Sequence, residues 1–503
     1  MKYVRMICVV LFCLVLAACT GRDDGNGTTP DPGPEENPLP VLRSLTPTAA
    51  LVNQSAFTLT VTGSSFVDGA RIVFNDQELT TTFVSATELS CQVSRAMTQT
   101  AALDSPSAAV QVRVRNPAPG GGDSGALTFF LRKNPAFGAD TVISGVYEAF
   151  WNGLDRDDGG RLYAWFQDTE YSDSWWNWGY QTGGYVIRSD DGGQTWNTPV
   201  KFNLAGAPLW PCIAPGANGE VTAVWTWVDP GMSFKRSTDY GDTWPAGSGI
   251  GYFRYTGYSY ESKIDCVIGG NGTIHMAGHQ FLVMTFCCDA YYLRSTDHGA
   301  SWEFTPPEDC GYDCRGFGGA TPRLALGNGV VYLLSRVASM IPGKNNMKYT
   351  FIRRSLDDGV SWEDAQRISD QVSYSLYPKV EIASDGGDRV AGAWAYPEAV
   401  GVNTSGDRGV TWMGEKFFAA GVGAVGHLDL DYDALGNLMV VWVEAGIVYF
   451  RRSTDNAATW SAPVPVTQTE GCSMPQLAVT PDGSIFVSWL RGNRIHIVEG
   501  IPE

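Results

Sequence analysis

The sequence predicts an all-β protein, a small antiparallel β-sandwich followed by a β-propeller. Three observations predict it. A nine-residue phrase recurs six times, as "RSDDGGQTW" (Arg188 to Trp196), "RSTDYGDTW" (Arg236 to Trp244), "RSTDHGASW" (Arg294 to Trp302), "RSLDDGVSW" (Arg354 to Trp362), "TSGDRGVTW" (Thr404 to Trp412) and "RSTDNAATW" (Arg452 to Trp460). A strand–turn–strand unit recurs seven times beside it, from "VYEAFWNGLDRDDGGRLYAWF" to "PQLAVTPDGSIFVSWLR". The composition, rich in Gly, Pro and aromatic residues with few charges, suits many short strands joined by turns.

The amino-terminal stretch "MKYVRMICVVLFCLVLAACTGRDDG" has a basic head, an apolar run and small residues before a cysteine. Residues 1–18 therefore read as an export signal, too short to span a bilayer with the usual margin. Leu16-Ala17-Ala18-Cys19 resembles a bacterial lipobox. The resemblance implies that Cys19 is lipidated and holds the mature chain in the cell envelope, at the outer membrane or cell surface. Residues 19–38, polar and rich in Pro and Gly, form a tether with nothing to bury. The formal charge of −18 argues against nucleic acid and anionic lipid as main partners, which leaves the Cys19 lipid as the expected membrane contact.

Residues 39–132 form one unit. "AFTLTVTGSSF" and "ARIVFNDQEL" alternate apolar and polar residues as half-buried strands do, with breaks expected at Gly63 and Asp68-Gly69. "LRSLTPTAALVNQSAFTLTVTGSSF", with the later "VRNPAPGGGDSGALTFFL", resembles the IPT/TIG immunoglobulin-like domain. That resemblance implies an immunoglobulin-like sandwich acting as a spacer or binding module, without catalysis.

Residues 133–503 carry the repeats. Their separation of roughly fifty to sixty residues is that of propeller blades. The hairpin outnumbers the boxed phrase by one, so seven blades are expected, with six as the alternative count. Only "NRIHIVEG" follows the last hairpin, and "GADTVISG", just after the first unit, is available to close the ring. The boxed phrase resembles the Asp-box, or BNR repeat, of the sialidase superfamily, and the resemblance covers about Asn134 onward. Ala457 stands where the sixth copy should have Gly, which suggests a slightly different turn there.

An Asp in such a turn accepts backbone N–H bonds, Gly takes positive φ, and Trp covers the hairpin. Asp191, Asp239, Asp297, Asp357, Asp407 and Asp455 are accordingly read as turn pins. Chemistry is sought at the opposite end. Aligning the hairpins places Glu148, Pro211, Lys263, Arg323, Lys379, Asp429 and Gln476 at the starts of the innermost strands. Lys263, Arg323 and Lys379 would form an anion site, unless these charges merely pair along the rim.

Loops on that side are aromatic. Trp175, Trp176 and Trp178, with Tyr252, Tyr255, Tyr258 and Tyr260, lie in polar surroundings and are poor core candidates. Flat aromatic faces beside hydrogen-bonding groups suit a sugar ring, so a glycan or glycoprotein is the expected partner, with an acidic saccharide favoured. Active sialidases hold a carboxylate with three arginines and attack with a Tyr. The first-blade strand "GVYEAFWNG" lacks the family's arginine motif, and Arg323 alone occupies a comparable inner-strand position. Tyr374 and Tyr258 are weak matches to the nucleophile, and Glu148 and Asp429 are the ring's acids should the chain be another glycosidase. The reading is a glycan- or protein-binding module without sialidase activity; a divergent glycoside hydrolase and a structural envelope scaffold are the alternatives.

No cofactor is expected. "DLDYDALG" and "DRDDGG" leave structural calcium open but lack the distal Glu of a calcium loop, and His275-x-x-x-His279 falls on a predicted strand without the Glu of a zinc protease. Cys287, Cys288, Cys310 and Cys314 are close enough in sequence to staple one blade's loops.

Overall fold

The computed structural model describes residues 36–51, 56–99, 107–132, 135–168, 183–203, 209–226, 232–245, 248–251, 259–282, 287–305, 320–339, 347–370, 380–419 and 425–502. The first unit is two packed sheets. One runs in the order Val41–Thr46, Phe57–Ser64, Glu88–Val93, Thr81–Ser85; the other contains Ala49–Leu51, Leu127–Arg132, Ser107–Asn116, Arg71–Phe74 and Gln77–Glu78. Alternation along Phe57–Ser64 turns Phe57, Leu59 and Val61 inward against Ile72, Phe74, Val112, Val114 and Phe129. Gly63 does not break its strand. A Cβ there would come within 1.9 Å of the Val41 carbonyl oxygen, so glycine serves close approach of the neighbouring strand.

Seven antiparallel sheets follow among the described residues. Their innermost strands are Ala149–Arg156, Leu209–Pro215, Ser259–Ile268, Ala320–Gly327, Val380–Ser384, Val425–Tyr432 and Ser473–Val479. Each packs beside the next, and the last packs beside the first, so the sheets close into a ring of blades around a channel. Second strands such as Leu162–Asp168 and Leu438–Glu444 are buried along their whole length, sandwiched between neighbouring blades.

The ring closes with strands from both ends of the repeat region. Arg494–Pro502 lies between Ile485–Arg491 on one side and Pro135–Phe137 with Thr141–Val142 on the other. Thr141 and Val142 belong to the "GADTVISG" segment that was available for this purpose.

Each box follows its blade's third strand, for example Gly184–Ser189 or Met232–Ser237. Because the strands alternate in direction, the boxes share one end of the ring with the turns that join first to second strands. Box tryptophans reach sideways to the preceding blade: Trp302 meets Phe234 at 5.4 Å and Trp362 meets Tyr292 at 4.8 Å between ring centroids. They join blades as well as covering hairpins.

The expected difference at the sixth box is corrected by the backbone. All six turns place two successive residues at positive φ: Tyr240 and Gly241 at 61° and 87°, and Asn456 and Ala457 at 56° and 65°. The turn is the same, and Ala457 adopts it despite its Cβ. At Gly359 a Cβ would lie 1.9 Å from the Tyr292 hydroxyl, whereas Ala457 shares its buried cluster with the small Ala391 and Ala393 of the preceding blade.

Candidate functional site

An innermost strand has a neighbour on one edge only, and its other edge presents unpaired N–H and C=O groups to the channel. Side chains from adjacent blades meet this need. Asp265 accepts from the Leu324 N–H at 2.7 Å. Asp429 and Asp431 accept from the Leu477 and Val479 N–H groups at 2.8 and 2.9 Å, and their other oxygens from Leu430 and Tyr432. Arg156 Nε donates to the Val479 carbonyl, tying the first blade to the last.

Between the fourth and fifth blades the link is ionic. Arg323 donates through Nε and a terminal nitrogen to both oxygens of Glu381, the second contact at 2.9 Å, and its remaining nitrogen reaches the Pro322 carbonyl at 3.4 Å. Against burial, which would lower it, Glu381 and Asp265 hold the Arg323 pKa above its ordinary value. A guanidinium used in this way presents no fork to a ligand carboxylate. The expectation that Arg323 anchors an anion is corrected accordingly.

The channel cavity encloses about 270 Å³. Its walls bring five carboxyl groups, Asp155, Asp265, Glu381, Asp429 and Asp431, against the guanidiniums of Arg156 and Arg323. Burial pushes Asp155 up to about 7, reinforced by the nearby charges of Asp431 and Asp265. Burial likewise raises Asp265 to about 6, opposed by Arg323, and takes Asp429 well above the usual carboxylate range, with Glu381 adding to the shift. Burial thus shifts these wall carboxyls toward their neutral form. Among the described residues no group of three or more His, Cys, Asp or Glu is placed to bind a metal ion. The aspartates of the calcium-like run are taken up by amides, Asp433 included, which accepts from Leu435 and Asn437.

The boxes hold their own charge. Asp239 Oδ1 accepts from Ser237 Oγ and the Thr243 N–H, and Oδ2 from Thr243 Oγ1 at 2.5 Å. The same three bonds recur at Asp191, Asp297, Asp357, Asp407 and Asp455. Hydrogen bonds from the Thr or Ser four residues on depress Asp191, Asp297, Asp357 and Asp407 to about 2.

Other expected site residues fall differently. Glu148 precedes the first innermost strand, is exposed, and donates its backbone N–H to Asp168; Asp155 is the acid that the first blade turns to the channel. Asp429 and Gln476 do line it, as does Pro211. Trp175, Trp176, Trp178, Tyr258, Tyr374 and Lys379 lie outside the described residues, as do Cys310 and Cys314. Lys263, Tyr260, Cys287 and Cys288 fall on described strands with their side chains outside the description. The segments 169–182, 252–258 and 371–379 attach at the strand ends opposite the boxes.

Sequence reasoning missed Asp155, Asp265 and Glu381 as channel residues, and had Asp431 only as an acid close to Asp429. Their signal is an acid set inside an otherwise apolar strand, as in "KIDCVI" and "LDLDY". It also missed Arg336, which is 1% exposed, with Nε and one terminal nitrogen lacking hydrogen-bond partners. Burial lowers its pKa to about 10, and the Tyr396 ring centroid lies 5.9 Å away.

No curated protein matches the chain. Among solved structures it is similar to the Hadza microbial sialidase Hz136, at 14% identity over 76% of each chain with a TM-score of 0.39. It is also similar to a protein of unknown function from Dyadobacter fermentans, at 13% identity over 73% of this chain and 99% of that one, TM-score 0.44. A Penicillium chrysogenum α-L-arabinanase complexed with arabinobiose aligns at 12% identity over 73% and 98%, TM-score 0.41. Residues 40–130 match the IPT/TIG domain family, and the amino-terminal unit is an IPT/TIG domain.

Proposed function

We propose that this chain is an exported lipoprotein whose propeller binds a glycan at the end opposite the boxes, without sialidase chemistry. The IPT/TIG unit and the tether after Cys19 serve as spacer between membrane and propeller. One observation carries the reading: every box Asp is occupied by its own turn. What is left for a ligand is the other end, where the sequence concentrates Trp175, Trp176, Trp178 and Tyr258 in the connecting segments. Among the described residues the channel guanidiniums of Arg156 and Arg323 are both engaged, which supports a reading without sialidase chemistry. The same engagement, with five acids on the channel wall, favours a neutral saccharide over an acidic one.

A glycan array probed with the mature chain tests this. Neutral saccharides should be retained, Trp176→Ala should lose them at unchanged melting temperature, and a fluorogenic sialoside should not turn over. Binding to no glycan, or to sialosides alone, would remove the reading. A second reading, glycoside hydrolysis, is favoured by Asp155 and Asp265, whose proton affinities lie where a general acid works. Turnover of an array hit that disappears in Asp155→Asn would select it.

A further inference from the structure

Each innermost strand that links to its neighbour across the channel wall does so with a charged or acidic side chain, except one. The second, Leu209–Pro215, reads "LWPCIAP" and has no charge to offer. What it brings is Cys212, which faces Cys266 of the third innermost strand, with the two Sγ atoms 2.6 Å apart. That is well inside the roughly 3.5–4.0 Å at which uncharged atoms rest against one another. Both residues are buried, at 6% and 4% exposure. The other two cysteines whose side chains are described are not in competition. Cys91 lies in the IPT/TIG core, and Cys472 in the seventh blade is engaged by Thr467 and Thr469.

We propose that Cys212 and Cys266 form a disulfide that clasps the second and third blades at the channel wall. It goes beyond the glycan reading and rests instead on the export signal, since an exported chain meets an oxidising compartment. The chemistry is two-step exchange. One cysteine, as thiolate, attacks the disulfide of a thiol–disulfide oxidant and forms a mixed disulfide; the second thiolate attacks the bonded sulfur and releases the oxidant as a dithiol. Two protons and two electrons leave the pair, and the oxidant takes up both. Burial raises both thiol pKa values, Cys266 well above its ordinary value, so exchange belongs to folding, before the blades close. Once buried the bond is shielded from reductant.

The test uses the full chain with its own leader, produced in an exporting bacterial host and quenched in acid. It is denatured and alkylated with one reagent without reductant, then reduced and alkylated with a second. Cys212 and Cys266 should carry the second label almost entirely, and unreduced digests should contain the Cys212–Cys266 linked peptide. Refolding under reductant should lower the melting temperature of the parent by several degrees and move that of the Cys212→Ser/Cys266→Ser variant by less. First-label alkylation of both residues, or a linkage of either to Cys287, Cys288, Cys310 or Cys314, would overturn the proposal. The labelling reads the parent chain, so a variant that fails to fold does not blunt it.

Discussion

Arg323 of the fourth blade and Glu381 of the fifth are joined by two parallel hydrogen bonds, both side chains largely withdrawn from solvent. The pair replaces, between these blades, the aspartate-to-amide links used elsewhere around the channel. Removing one partner leaves the other charge buried and alone. Arg323→Ala should therefore cost about 3–5 kcal/mol in urea denaturation, and adding Glu381→Gln should recover part of that loss. A single mutant as stable as the parent would show that the pair contributes nothing to the ring.

The boxes are expected to act on stability alone. Asp239→Ala orphans the Thr243 N–H and two hydroxyls, and should lower stability by about 1–3 kcal/mol while glycan affinity holds at permissive temperature. Loss of binding in a folded mutant would put the boxes at the functional face.

A pair of reciprocal substitutions separates backbone strain from packing. Gly359→Ala should cost about 3 kcal/mol, because it adds left-handed strain and drives a methyl into Tyr292. Ala457→Gly should fall within about 0.5 kcal/mol of the parent. Relief of about 1–2 kcal/mol of strain is offset by one lost buried methyl and a more flexible unfolded chain. Thermal melts of both variants decide the matter.

Two opposed pH dependences follow from the carboxyls. Asp191, Asp297, Asp357 and Asp407 are depressed in the folded state, so their contribution is present above about 3.8 and lost as pH falls through about 2. Asp155 and Asp265 are raised, to about 7 and about 6; their contribution is full below about 3.8 and lost as pH rises through those values. Melting temperature should decline from pH 5 to pH 8, and Asp155→Asn should flatten that decline. A flat parent profile would contradict the burial of these groups.

Anchoring has a direct check. Cys19→Ala should shift the chain from the membrane fraction to the soluble or unprocessed pool on fractionation of the producing cells, because the thioether lipid needs the thiol.

The hairpins and boxes were legible because each repeats a local pattern, and a turn residue or a tryptophan announces itself within ten positions. The channel was not. Six of the seven innermost strands carry a register shift near their start, as between Ser262 and Ile264 or Val425 and Leu428. Counting from the strand's beginning therefore slips, and in the first blade the channel acid, Asp155, stands at the far end of its strand rather than at its start. Arg323 looked like a free cation because Glu381, its partner, lies a full blade further along the chain. Pairings of that range follow from ring closure, which no local window contains.

The clasp of Pro135–Phe137 and Thr141–Val142 on Arg494–Pro502 sets the order in which this protein can be finished. The clasping strands are synthesised before any blade, and the strand they grip after all of them. Until that strand arrives, the seventh blade lacks its third strand and the two short strands that will flank it have no partner. Once it arrives, the first and last strands of the repeat region lie in one sheet, so a cut in a loop between blades does not by itself separate the two ends of the ring.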